Sequence, residues 1–102
     1  MADYYRDVII ETFIHKGGSS KHLIRARPLP GQGLSISMRV ECSSKMREIH
    51  PPGTLFKVRA KIKNTDQTPH LYTSWQWPYE IVSAQDAGNF IAKKDWDESE
   101  TR

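Results

Sequence analysis

Hydrophobic residues recur at every second position in the middle of the chain. Over residues 54–63, four apolar side chains alternate with four cationic ones: Phe56, Val58, Ala60 and Ile62 with Lys57, Arg59, Lys61 and Lys63. A period of two is typical of a β-strand whose two faces meet different surroundings. The pattern therefore predicts a half-buried strand with one apolar face and one cationic face.

Other segments of the chain also favour strands over helices. The same alternation predicts a strand over residues 34–41, and residues 6–15 are rich in β-branched and aromatic side chains, which predicts a strand with little polar face. Shorter strands are predicted over residues 22–27, 71–77 and 79–83. Runs rich in glycine, proline and serine separate these segments, as expected for turns and loops.

Helical signals are weak and short. Residues 44–49 predict one turn that Pro51 stops, and residues 84–93 predict another that Gly88 weakens. Five or six short strands in a chain of 102 residues favour a closed or partly open barrel, because closure removes exposed strand edges. We expect a mostly β, single-domain antiparallel barrel over residues 1–94, of SH3-like or OB-like size, with at most one or two short helical turns.

Composition excludes some classes of protein. The chain is 37% hydrophobic and 26% charged, and it has no apolar run near the roughly 20 residues that a membrane span needs. Three Trp, four Tyr and three Phe argue against a chain that never packs. A single cysteine, Cys42, and an N-terminus unlike a signal peptide lead us to expect a cytoplasmic location.

Charge is distributed unevenly along the chain. Residues 1–94 hold 14 basic and 8 acidic side chains, a balance of +6, whereas residues 95–102 hold one basic and four acidic side chains, a balance of −3. We expect residues 95–102 to be a frayed acidic tail. An alternative is a tail that competes with an anionic ligand for the basic body.

The cationic face of the strand at 54–63 is the first candidate site, and we name Lys57, Arg59, Lys61 and Lys63 the basic ribbon. Alternate residues of a strand lie about 6.6 Å apart, which suits the phosphates of an extended nucleic acid strand. Arg25 and Arg27 would assist if their strand is a neighbour. The alternative is a solvated face whose lysines prevent edge pairing.

Aromatic residues form the second candidate site, because four of them lie within eight positions: Tyr72, Trp75, Trp77 and Tyr79. Exposed rings beside cations stack on nucleic acid bases, so Trp75 or Trp77 is a candidate stacking platform for DNA or RNA. The same rings could instead line a groove for a proline-rich peptide or a small apolar ligand. In a third interpretation they are core residues, since a small domain takes much of its buried area from aromatics.

No motif for catalysis, a metal or a cofactor stands out. The four histidines have no metal-ligand spacing, no nucleophile elbow occurs, and the glycine pairs lack the residues that complete a phosphate loop. We expect a non-catalytic binding module without a cofactor, and nucleic acid binding is its sharpest form. The alternatives are a protein-interaction or small-ligand module and a self-associating structural protein, for instance a homodimer.

Overall fold

The computed structural model of the protein describes residues 4–14, 24–63, 70–74, 77–94 and 99–100. Within these ranges the chain forms seven strands and two short helices. The strands are β1 (Tyr4–Ile14), β2 (Ile24–Pro28), β3 (Arg39–Glu41), β4 (Leu55–Lys63), β5 (His70–Tyr72), β6 (Tyr79–Val82) and β7 (Ser99–Glu100). The helices are α1 (Ser44–Glu48) and α2 (Ala84–Lys93).

The strands form one curved sheet that nearly closes into a barrel. Its main order is β2-β1-β4-β5-β3, with β6 paired to the first half of β4 and β7 paired to the start of β1. The pairs are antiparallel except β3 with β5, which is parallel. The prediction of a small, mostly β barrel with two short helices is confirmed.

The inside of the barrel is filled by alternate residues of the long strands. In β4, Phe56, Val58 and Ala60 are buried, as the period of two predicts. They pack with Val8 and Ile10 of β1 in one apolar cluster. Burying such side chains stabilises the fold by roughly 1.5–3 kcal/mol each, which makes this cluster the main core.

A second apolar cluster lies on the outside of the sheet, beneath α2. Ala87 and Phe90 of the helix cover Ile9 of β1, and Leu55 of β4 packs against them. The Ser83 hydroxyl accepts a hydrogen bond from the Asp86 N–H at 3.0 Å and caps the helix, whose bounds agree with the prediction for 84–93. The middle of β1 is therefore buried on both faces, which explains its lack of polar positions.

The predicted strand over 34–41 is wrong for most of its length, because only Arg39–Glu41 is a strand. The hydroxyls of Ser35 and Ser37 hydrogen bond to each other at 2.7 Å, and the Met38 N–H donates to the Ser35 carbonyl. Serine hydroxyls that bond locally compete with a strand ladder. The alternating pattern here therefore belongs to a turn that rests on the core through Leu34 and Met38.

The predicted strand over 71–77 is also shorter than expected, because β5 ends at Tyr72. Thr73 leaves the strand, and its hydroxyl donates to the Arg59 carbonyl at 2.9 Å. The Trp77 N–H donates to the Ser74 carbonyl at 3.0 Å, which places Trp77 in a turn before β6. Trp75 lies outside the described residues.

Two further features bear on the expectations for the chain ends and for membranes. Of the acidic tail, the structure describes Ser99 and Glu100, which form β7 and pair with Tyr5 and Tyr4 of β1. In the part of the chain that is described, no helix is long and apolar enough to cross a membrane.

Candidate binding sites

One groove brings together part of the basic ribbon and part of the aromatic group. It lies on the outer face of β1 and β4 beside β6, and its volume is about 630 Å³. We name it the aromatic groove. Its lining combines rings and a proline with four charged side chains: Tyr5, Trp77, Pro78, Tyr79, Asp7, Lys57, Arg59 and Glu80, with Val58 beneath.

Contacts between rings hold the aromatic side of this groove in place. Trp77 packs edge to face against Tyr5 at 5.5 Å and against Tyr72 at 5.8 Å between ring centroids. Tyr79 packs in the same way on the buried Phe56 at 5.5 Å and keeps 39% of its surface exposed. The rings therefore pack against the fold on one side and face solvent on the other. They contribute both to packing and to the candidate binding surface.

The described cations of the basic ribbon, Lys57, Arg59 and Lys61, lie on the outer face of β4, as the alternation predicts, and each has a close neighbour. Arg59 forms an ion pair with Asp7 at 3.4 Å, and Lys57 stands opposite Glu80 in the β4–β6 register. The Lys61 ammonium lies 5.7 Å from the centre of the Tyr5 ring. The aromatic groove thus has a balanced charge among its described lining residues.

The other predicted site residues lie elsewhere. Lys63 ends β4 opposite His70, and its side chain is not described. Arg25 and Arg27 belong to β2, on the far side of β1, and the helix α2 packs on the sheet between them and the basic ribbon. The strand β1 stands between β2 and β4 in the sheet, so the condition under which Arg25 and Arg27 would assist the basic ribbon, that their strand is its neighbour, is not met.

Among the groove residues that were not candidates from the sequence are Tyr5 and Asp7 of β1. They stand opposite Lys61 and Arg59 in the β1–β4 register, on the outer face. The sequence does indicate their outward direction, since the odd-numbered residues Tyr5, Asp7 and Glu11 alternate with core residues. Only the strand pairing, which the sequence does not contain, brings them to the basic ribbon.

A second concavity adjoins the aromatic groove across the ridge formed by Trp77 and Tyr79. Its volume is about 380 Å³, and it is lined mainly by Met46 and Ile49 of the α1 region and by Thr73 and Ser74 after β5. Trp77 and Tyr79 therefore line both concavities.

A third concavity, larger than these two, lies between β2 and β3, where the barrel does not close. Its volume is about 790 Å³, and we name it the arginine cleft. Its lining combines four arginines with one acid and several apolar groups: Arg25, Arg27, Arg39, Arg47, Glu41, Phe13, Ala26, Ile36, Ser37, Val40 and Cys42.

The arginines of this cleft differ in what holds them. Arg27 forms an ion pair with Glu11 at 3.1 Å and lies 4.6 Å from the Phe13 ring centre, and Arg39 pairs with Glu41 at 3.1 Å. Arg47 donates to the Ile24 carbonyl at 3.2 Å from the side of α1. Arg25 is exposed and forms no ion pair with a described residue.

Cys42 lies in the lining of the arginine cleft. Burial raises the pKa of its thiol, and the nearby Arg47 charge lowers it by a smaller amount. The thiol therefore stays protonated at neutral pH and adds no negative charge to the cleft.

Comparisons with known proteins assign no class to this chain. No family model, no curated protein and no solved structure matches it. Within the described ranges, no group of three or more His, Cys, Asp or Glu side chains is placed to hold a metal ion.

Proposed function

We propose that the protein is a non-catalytic binding module that holds an extended, proline-containing peptide in the aromatic groove. The observation that carries the proposal is that Trp77 and Tyr79 line two adjoining concavities, with Pro78 between them in the aromatic groove. Proline-rich segments adopt an extended conformation before binding, so docking them between aromatic rings costs little conformational entropy. Anchored rings also lose little freedom when a ligand arrives.

The charge of the aromatic groove favours a peptide over a phosphate backbone. Phosphates that followed the basic ribbon would approach the carboxylates of Asp7 and Glu80, and like charges repel. A peptide offers both signs, so a basic side chain of the ligand would pair with Glu80 while an acidic one would pair with Lys57. We therefore expect binding that depends little on salt.

A Trp77→Ala variant tests the proposal. The probe is an array of synthetic peptides with two prolines and one lysine or arginine, each beside a copy in which glycine replaces both prolines. We expect micromolar binding to some proline peptides, weaker binding to their glycine copies, and at least a tenfold loss for Trp77→Ala, because interface tryptophans often contribute about 2 kcal/mol or more.

Phe13→Ala is the matched aromatic control, since Phe13 lies in the arginine cleft and not in the groove. Glu80→Gln is a second variant that leaves the rings untouched, and it should weaken the basic peptides alone. Far-UV circular dichroism shows whether each variant is folded. Equal affinity for proline peptides and glycine copies, or equal losses for Trp77→Ala and Phe13→Ala, would contradict the proposal.

A further inference from the structure

We infer that the arginine cleft is a second binding site, which takes the backbone of single-stranded nucleic acid. Among the described residues that line it, four arginines face one acid, Glu41. Guanidinium groups bind phosphate through paired hydrogen bonds, and a positive groove that follows a strand is the usual device for single-stranded nucleic acid. This inference is independent of the proposed peptide groove, because no residue lines both concavities.

Two of the arginines are available to a ligand. Arg25 is exposed, and the side chain of Arg39 is 69% exposed despite its pair with Glu41. An exposed ion pair contributes only about 0–1 kcal/mol, so a phosphate can compete for Arg39. Arg25 belongs to β2 and Arg39 to β3, and they therefore hold opposite rims of the cleft.

The floor of the cleft suits bases and sugars. Ala26 and Val40 are buried there, and the neutral Cys42 thiol and the Phe13 ring complete an apolar surface. Arg27 already lies against Phe13, which fixes a guanidinium plane on which a base can stack. A cationic rim above an apolar floor matches the two chemistries of a nucleotide, phosphate and base.

The same features disfavour the two nearest alternatives. A peptide that added a strand to β2 would need its free backbone groups, but Arg47 already bonds the Ile24 carbonyl at the start of that strand. Duplex DNA is read by a helix or ribbon that enters the major groove, and α1, the helix beside the cleft, has only five residues. A single strand needs neither feature.

Fluorescence anisotropy with a labelled thymidine 12-mer at low salt tests the inference. Two double variants each remove two positive charges. The first, Arg25→Gln/Arg39→Gln, changes the arginine cleft and is named the seam variant, and the second, Lys57→Gln/Lys61→Gln, changes the basic ribbon and is named the ribbon variant. We expect at least a tenfold loss of affinity for the seam variant and less than a threefold loss for the ribbon variant. The log–log salt slope of the seam variant should be shallower by about 1.4, from about 0.7 per lost phosphate contact.

Alkylation of Cys42 by iodoacetamide is a second measurement that needs no variant. Because Cys42 is the chain's single cysteine and lines the cleft, saturating 12-mer should slow its modification at least threefold. A ten-residue polyglutamate peptide, tested at the same concentration, should protect it less. The proline peptides of the aromatic groove should not protect it at all.

Several outcomes would overturn the inference. These are no binding of the 12-mer at about 100 μM protein in low salt, equal losses for the seam and ribbon variants, and unchanged alkylation of Cys42 at saturation. Tighter binding of polyglutamate than of the 12-mer would show an acidic peptide site instead. None of these results bears on Trp77, so failure here is distinguishable from failure of the peptide groove.

Discussion

The side chain of Gln32 hydrogen bonds to β1 in the way that the backbone of a neighbouring strand would. Its side chain is fully buried, its Oε1 accepts from the Ile9 N–H at 2.8 Å, and its Nε2 donates to the Ile9 carbonyl at 2.9 Å. The amide thus imitates the paired bonds of an antiparallel neighbour at a point of β1 between its pairs with β7 and β2. The Gln32 carbonyl also accepts from the buried Arg6 guanidinium at 2.9 Å.

Gln32→Leu should therefore destabilise the protein by about 3 kcal/mol, because the buried Ile9 N–H and the partly buried Leu29 carbonyl lose their side-chain partner. Urea unfolding measures the change. The control is Gln85→Leu on the exposed face of α2, which should change the free energy of unfolding by no more than about 0.5 kcal/mol. Similar losses at both positions would show that the amide bonds of Gln32 contribute nothing specific.

The roles of single residues were the hardest to predict from the sequence. Lys57, Arg59 and Lys61 alternate with core residues, so their outward direction could be predicted. Their neighbours Asp7, Glu80 and Tyr5 follow from strand register, which composition and period do not contain. Buried polar residues such as Gln32 resemble loop residues until the tertiary contacts are known.

Among the elements, the helix α2 depends on the loop that follows β2. Its Ile91 packs in the outer cluster with Leu29, and Gly31 lies so close that an added Cβ would be 2.9 Å from the Ile91 Cγ2 atom. Gly31 also has a φ of +94°, a conformation that other residues rarely adopt. The loop after β2 is therefore shaped to let the helix approach the sheet.

Two glycine substitutions should have opposite effects on α2. Gly88→Ala should stabilise the protein by about 0.5–1 kcal/mol, because an added Cβ meets nothing within 4 Å and alanine favours a helix. Gly31→Ala should destabilise it by more than about 1 kcal/mol through strain and the Ile91 contact. Thermal unfolding by circular dichroism gives both shifts, and a Gly31→Ala protein as stable as the original would refute the close-packing argument.

Elements with a strong local pattern were predictable, and elements defined by a turn were not. The strand β4 follows its period of two, and the structure confirms it. The helix α2 agrees in its bounds with the predicted segment, although Gly88 weakens its sequence signal. Residues 34–38 have the period of a strand, but serine hydroxyls bond locally and turn the chain. The arginine cleft lies between β2 and β3 because these are the two end strands of the sheet. Only the strand order β2-β1-β4-β5-β3 shows this, and the sequence does not contain it.

At the scale of the whole molecule, two apolar clusters share the same strands. Val8 and Ile10 face the barrel interior while Ile9 faces α2, and all three have 0% exposure. Phe56 and Leu55 divide in the same way on β4. Because adjacent residues of one strand belong to both clusters, neither cluster can separate from the sheet without exposing the backbone that supports the other.

The protein should therefore unfold in one cooperative step, even when the outer cluster is weakened. Phe90→Ala should lower the free energy of unfolding by about 3 kcal/mol, and Val58→Ala in the inner cluster by about 2 kcal/mol. In both variants, urea curves from tryptophan fluorescence and far-UV circular dichroism should coincide, as two-state unfolding requires. An early loss of helical signal in Phe90→Ala alone would show that α2 unfolds independently, and the outer face of the sheet would then be an accessory layer instead of part of one core.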